Sequence, residues 1–221
     1  MNYEASVLLP LYKQLNKQPI TNGMKEIIFA KVEFDMNQAT GILDFGVRKS
    51  NEDYLHKEKE WYASKSLNAL TDITIWNNIK DLSGQVNSNY GHLVYSKSNF
   101  NQFFHTIKKL KEDRNTRQAV IIYNRPSMHL ECNDLGGKDF ICTMYNHFLI
   151  RENKLHCIVS MRSNDCIFGT FNDLPWFFLV YNDVFNNLEN VEKGSMIYVA
   201  NSFHCYERHF ELLEKICLQV Y

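Results

Sequence analysis

Two apolar runs with a short polar break between them constrain this chain most. Phe140 to Ile150 and Lys154 to Met161 are rich in β-branched and aromatic residues, and Arg151-Glu152-Asn153 between them reads as a turn. The spacing predicts an antiparallel hairpin, which needs further strands and a covering layer to bury its apolar face. Lys25 to Asp35 supplies a strand, with Ile27, Phe29, Val32 and Phe34 apolar. Ala119 to Tyr123 and Ser195 to Ala200 supply two more. Helical patterns cover Tyr3 to Gln18, interrupted or kinked at Pro10, and Asn51 to Lys65, with Asn51 as N-cap. Ser98 to Asp113 carries a stripe of Phe100, Phe103, Phe104, Ile107 and Leu110. Asn172 to Asn187 reads as a largely buried helix and His204 to Leu218 as a closing one. Strands and helices mix without regular βαβ alternation, so the expected class is α+β. Neither a repeat nor a linker divides residues 1–221, and one domain is expected.

Composition excludes several functions. The 221 residues include 24 Lys or Arg and 25 Asp or Glu, with 45% hydrophobic and 22% charged. Such a chain can build a sizeable core and is not disordered over most of its length. Its net charge of −1 is ill-suited to gripping nucleic-acid phosphates, so no direct nucleic-acid partner is expected. No apolar run approaches the roughly 20 residues of a membrane span. Met1-Asn2-Tyr3-Glu4 begins no basic and apolar secretion signal, which leaves a cytoplasmic location as the expectation. The six cysteines form no C-x-x-C pair, and each taken singly is a small buried hydrophobe.

Three local clusters remain. His204 and His209 are five residues apart, which does not stack them on one helix face, and no metal site is expected. Lys108, Lys109, Lys111, Arg114 and Arg117 form either a solvated helix end or an anion site. Met161-Arg162-Ser163-Asn164-Asp165 places a guanidinium, a hydroxyl, an amide and a carboxylate directly after a hydrophobic strand, but spacing alone does not name their ligand.

Taken in order, a longer series of segments is distinctive. It comprises Glu58-Lys59-Glu60-Trp61-Tyr62, Ser64-Lys65-Ser66-Leu67, Ile75-Trp76, Asn87-Ser88-Asn89-Tyr90-Gly91, Ile122-Tyr123, Arg125-Pro126-Ser127-Met128 and Asp139-Phe140 before Cys142-Thr143. It continues through Met161 to Asp165, Phe168-Gly169, Asn172-Asp173, Trp176, and His204, Tyr206, Arg208 and His209. The series resembles the thymidylate synthase superfamily, and within it the deoxycytidylate hydroxymethylase branch. The resemblance implies a mixed β-sheet flanked by helices, sheet-to-sheet pairing into a homodimer, and 5,10-methylenetetrahydrofolate as co-substrate.

It also implies roles. Pyrimidine carbon-5 is a poor nucleophile; a thiolate adding to carbon-6 makes the ring enamine-like and able to attack a folate methylene. Cys142 matches that thiolate. Arg162 and Ser163 match phosphate ligands, and the charge of Arg162 would favour the thiolate. Asp165 matches the residue that binds the pterin, with Trp76 and Gly169 also at the folate. His204 and Tyr206 match the pair on the sugar hydroxyl, and Asn172 lies with Asp173 at the base. Glu58 aligns with the family glutamate that moves protons through ordered water, the water that would end on the exocyclic methylene. Glu60, beside Trp61, is the competing choice but out of register. Tyr90 resembles the tyrosine that helps remove the carbon-5 proton.

Substrate choice turns on Asp173, where thymidylate synthases place an asparagine that pairs with uracil. A carboxylate only accepts hydrogen bonds. It suits cytosine, whose amino group donates and whose nitrogen-3 can donate once protonated; the other reading is a helix N-cap.

The chain departs from the family pattern in three places. It has Arg117-Gln118 where relatives often carry two arginines that reach the partner's phosphate; Lys111 or Arg114 could compensate. The N-terminal arginine loop has only Arg48 as a candidate. The end at Tyr221 leaves little tail to cover folate, which would give a more open site. The expectation is a homodimer, with Arg117 shared across the interface, that makes 5-hydroxymethyl-dCMP from dCMP, methylenetetrahydrofolate and water. The alternatives are a thymidylate synthase, a dUMP or CMP hydroxymethylase, or a non-catalytic nucleotide- or RNA-binding relative.

Overall fold

Asparagine side chains start most of the capped helices. A computed structural model describes residues 1–70, 72–133 and 137–219. In it Asn2 caps α1 (Tyr3–Asn16), Asn51 caps α2 (Glu52–Ser64), Asn89 caps α4 (Tyr90–Tyr95) and Asn101 caps α5 (Gln102–Glu112), each accepting a backbone N–H two or three residues into its helix. Pro10 lies inside α1 without ending it. The remaining helices are α3 (Thr74–Ile79), α6 (Met128–Asn133), α7 (Gly169–Asn186) and α8 (Phe210–Cys217).

The strands are β1 (Met24–Asp35), β2 (Val120–Ile122), β3 (Thr143–Arg151), β4 (Lys154–Met161), β5 (Asn164–Asp165) and β6 (Glu192–Tyr206). They form one mixed sheet in the order β1-β6-β4-β3-β2, with β5 paired to β6. β4 and β5 run parallel to β6, and the other pairings are antiparallel. The predicted hairpin is β3–β4. Arg151 pairs with Lys154, so the loop is the two residues Glu152 and Asn153, both at positive φ (49° and 62°). That geometry matches the right-handed twist of the strands, as in a type I′ turn.

The sheet buries one face under α1 and α7, where Phe34, Phe148, Phe171, Phe177, Phe178 and Phe203 are fully enclosed. The opposite face exposes Ile28, Phe29, Ile122 and Tyr145. Phe29, one of the apolar residues of β1, is 65% exposed and takes a φ of 60°. It drops out of the pairing with β6 while the register continues on both sides, and the inward phase passes from Ile27 to Ala30.

The boundary between the last strand and the closing helix differs most from the sequence reading. His204 and Tyr206 do not open a helix. β6 runs on through them, because β1 offers pairing partners as far as Met24. A 3₁₀ turn at Glu207–His209 then leads into α8. The helices α3, α4 and α6 went unpredicted because six residues are too few to show a helical period. Among the described residues no helix is long and apolar enough to cross a membrane. Tyr221, on which the short-tail expectation rests, lies outside the described residues.

Candidate active site

Cys142 sits one residue before β3, tied to the end of β4 by the Arg162 N–H, which donates to its carbonyl at 2.8 Å. The Arg162 side chain folds back over the same loop. Its Nε donates to Ile141 O at 3.1 Å, its Nη2 to Phe140 O at 2.5 Å, and Nη2 lies 3.5 Å from Cys142 Sγ. Burial pushes the Cys142 thiol up to about 11; Arg162 pulls it down, and Asp173 and Asp139 push it further up. The expected help from Arg162 is present in sign, and burial outweighs it.

The same loop carries Asp139, which accepts from Ser88 N at 2.6 Å and Ser88 Oγ at 2.7 Å. This clamp sets the start of α4 against Cys142. Tyr90 opens α4 and accepts a hydrogen bond from Thr143 Oγ1 at 2.9 Å. Its ring stacks on Tyr62 of α2 at 5.6 Å and meets Tyr123 edge-on at 5.0 Å. Asn89 donates to Trp61 O and Ser66 O, at 2.8 and 2.7 Å. The helices approach so closely that a Cβ at Gly91 would lie 1.9 Å from Tyr62 O. Only glycine permits that contact.

Glu58 is buried on α2, one turn beyond Tyr54, whose hydroxyl donates to Glu58 Oε1 at 2.8 Å. Burial pushes the Glu58 carboxyl up to about 8; Tyr54 and Tyr62 pull it down and Asp173 adds to the rise. Tyr54 itself, buried beside that carboxylate, is held well above the usual phenol range and remains a neutral donor. A carboxyl that titrates near neutrality suits proton transfer in both directions. Glu60, by contrast, faces solvent and pairs with His56 at 3.3 Å.

Asp173 lies in the second turn of α7, not at its cap; Phe168 holds the capping position. One carboxylate oxygen accepts from Asn164 Nδ2 at 2.7 Å. Burial pushes Asp173 up to about 7, Asn164 pulls it down, and Asp165 adds to the rise. The charge of Asp173 acts on Cys142, Tyr90 and Glu58, so four of the sequence-selected residues share one electrostatic environment.

Asp165 pairs in register with His204. Its Oδ1 accepts from the N–H groups of Ile167 and Phe168 at 2.7 and 3.2 Å. His204 is buried, its ring 4.9 Å from that of Tyr206, and Ser163 is half-buried beside Arg162. Asn172 turns to the other side of α7. There a cavity of about 570 Å³ opens between α2 and α7 against residues 40–42, and Glu58, Tyr62 and Trp176 also border it. Trp76 packs on Trp61 at 4.9 Å, and its buried indole N–H meets the Tyr54 hydroxyl without closing a full hydrogen bond.

Arg117 stands apart, exposed in the loop ahead of β2. The Arg114 guanidinium donates to Glu189 O, Asn190 O and Asn153 Oδ1, at 2.6 to 3.2 Å. Arg48 donates to Lys49 O and Ile167 O, with its guanidinium over the Phe171 ring at 4.6 Å. Sequence reasoning gave no role to Tyr54, Asp139, Asn164 or Thr170. The i, i+4 spacing of Tyr54 and Glu58 was a usable signal; the other three act through contacts that only folding creates.

Comparison with known proteins places this arrangement. The thymidylate synthase family model matches residues 13–219. The chain is 37% identical over 175 residues to the deoxycytidylate 5-hydroxymethyltransferase of Enterobacteria phage T4, covering 74% of this chain and 71% of that one. It is 23% identical over 203 residues to the thymidylate synthase of Francisella tularensis subsp. holarctica (strain LVS), covering 86% and 73%. It is 31% identical over 130 residues to the deoxyuridylate hydroxymethyltransferase of Bacillus phage SP01, covering 54% and 33%. The chain belongs to the thymidylate synthase family. It is therefore an enzyme of the one-carbon-transferring kind, from a family whose co-substrate is methylenetetrahydrofolate.

Proposed function

We propose that this chain is a deoxycytidylate 5-hydroxymethyltransferase, converting dCMP, 5,10-methylenetetrahydrofolate and water to 5-hydroxymethyl-dCMP and tetrahydrofolate. The carrying observation is Asp173, a carboxyl tied to Asn164 at 2.7 Å within the same environment as Cys142, Tyr90 and Glu58. Uracil would set its carbonyl oxygen against a carboxylate there, and a mismatched buried polar pair costs about 1–3 kcal/mol.

Cys142 Sγ adds to carbon-6 of the ring, and its proton leaves as the carbon–sulfur bond forms. Arg162 and Ser163 hold the phosphate, while His204 and Tyr206 hold the sugar hydroxyl. Methylenetetrahydrofolate supplies a one-carbon electrophile to carbon-5. The residues fit that molecule: Asp165 spends one oxygen on backbone N–H groups and has a second to offer. The cavity beside Glu58, which Asn172 and Trp176 line, has the size of a small-molecule site, and Trp76 packs on Trp61 of the helix that carries Glu58. Gly169 lies against Asn164 and Asp173. Tyr90, oriented by Thr143, assists loss of the carbon-5 proton as the bond from the transferred carbon to the folate nitrogen breaks, which releases tetrahydrofolate and leaves an exocyclic methylene on the ring. Glu58 as a carboxylate then takes a proton from water as that water adds to the exocyclic carbon, and the carbon–sulfur bond breaks to return Cys142.

The exposed face of the sheet supports a homodimer. Ile28 and Phe29 on edge strand β1 are 72% and 65% exposed, and Ile122 and Tyr145 are exposed across the sheet on β2 and β3; exposed large apolar side chains of this kind suit a second copy. Arg117, in the loop ahead of β2 at the other edge of the sheet, would reach the partner's phosphate site.

The test is competition. Enzyme with methylenetetrahydrofolate and equal dCMP, dUMP and CMP should yield hydroxymethyl-dCMP as the main product by mass spectrometry. Methylated dUMP as the main product would overturn the proposal, as would an absence of product from all three.

A further inference from the structure

Asn164 is buried at the site, and both ends of its amide are committed. Its Oδ1 accepts from the Thr170 hydroxyl at 2.5 Å, and its Nδ2 donates to Asp173 Oδ2 at 2.7 Å. Turned over, the amide would set its oxygen against the carboxylate. Gly169 leaves the room this pair needs: a Cβ there would lie 2.7 Å from Asn164 Nδ2 and 3.3 Å from Asp173 Oδ2. Asp173 Oδ2 thus faces a fixed N–H and can only accept.

That restriction matters because a neutral carboxyl is ambivalent. It has one donor and one acceptor, and so does the edge of each base. Cytosine offers an acceptor at nitrogen-3 and a donor at the amino group; uracil offers the reverse. A carboxyl free to carry its proton on either oxygen could pair with both bases. We propose that Asn164, oriented by Thr170, is the positioning residue that makes Asp173 select cytosine, by excluding the proton from Oδ2 and confining it to Oδ1. Oδ1 then donates to nitrogen-3 and Oδ2 accepts from the amino group. The arrangement that would pair with uracil needs a proton on Oδ2, where it would collide with the Asn164 N–H. Burial raises the Asp173 carboxyl to about 7, so this proton is available near neutrality. The inference rests on the assignment of Asp173 as the base-reading group.

The experiment compares kcat/KM for dCMP and dUMP in the wild type and in Asn164→Ala, Thr170→Val, Thr170→Ser and Asp173→Asn. Losing one buried hydrogen bond should lower the dCMP-to-dUMP ratio by about tenfold or more in Asn164→Ala. Most of that change should come from dCMP, with dUMP use held or raised. Thr170→Val should lower the ratio in the same direction, and Thr170→Ser, which keeps the hydroxyl, should restore it. A purely structural role would reduce both substrates equally and leave the ratio unchanged. If Asn164→Ala does not fold, Thr170→Val carries the test, since it removes one hydroxyl at nearly constant volume. An unchanged ratio in Asn164→Ala and Thr170→Val, with a changed ratio in Asp173→Asn, overturns the assignment of Asn164 alone. An unchanged ratio in Asp173→Asn as well overturns the assignment of Asp173, and the inference falls with it.

Discussion

Replacing Tyr54 by Phe removes one oxygen from the site and isolates what sets the proton affinity of Glu58. The Tyr54 hydroxyl donates to Glu58 Oε1 at 2.8 Å. Burial drives the carboxyl up to about 8, and this bond is the largest influence pulling it back. Hydrogen bonds to charged groups contribute about 1.5–3 kcal/mol, and one pKa unit corresponds to about 1.4 kcal/mol. The variant's Glu58 should therefore titrate about one to two units higher. If Glu58 must be ionised to activate water, the acidic limb of the pH–rate profile moves up by the same amount. At pH 7 the ionised fraction then falls about ten- to a hundredfold, and activity falls with it. Above about pH 11 the two enzymes converge, because both carboxyls are ionised. The assay is hydroxymethyl-dCMP formation as kcat/KM across pH, with dCMP affinity measured in parallel. A limb that does not move, or a loss of activity equal at every pH, would refute the reasoning.

Glu58 also has a stability consequence. Its folded-state value near 8 against an ordinary 4.5 means that the unfolded chain ionises first as pH rises. Stability is therefore undiminished below about pH 4.5 and declines between there and about pH 8. Glu58→Gln should be more stable than the wild type at pH 8, by up to roughly 4 kcal/mol, and nearly equal to it at pH 4; denaturant melts showing no gain at pH 8 would contradict this. Gly91→Ala forces a Cβ to within 1.9 Å of Tyr62 O, so α2 and α4 must separate. A loss of roughly 3 kcal/mol or more, about 10 °C in Tm, is expected by calorimetry, and an unchanged Tm would show that the helices do not pack this closely. Mixing Arg117→Ala subunits with Cys142→Ala subunits should restore part of the activity that each homodimer lacks. No recovery in heterodimers verified by mass would mean that Arg117 does not serve the partner's site.

The parts whose cause is local were legible in the residues alone. The β3–β4 hairpin, the amphipathic α5, the Asn51 cap of α2 and the long apolar α7 follow from periodicity and capping chemistry over a few residues. The family resemblance added an ordered set of residues. Four of these, Cys142, Glu58, Tyr90 and Asp173, are brought into one electrostatic environment from four separate parts of the chain. Features that depend on a distant partner emerge once the chain has folded. β6 continues through His204 and Tyr206 because β1 pairs with it, against a local pattern that suggested a helix. Asp173 is not a helix cap, because α7 begins at Gly169. The protonation of Glu58, Cys142 and Asp173 near neutrality was likewise invisible in the sequence, because desolvation is a property of the assembled surroundings. The amide of Asn164 acquires its role only once Thr170 and Asp173 close around it from the next turns of chain.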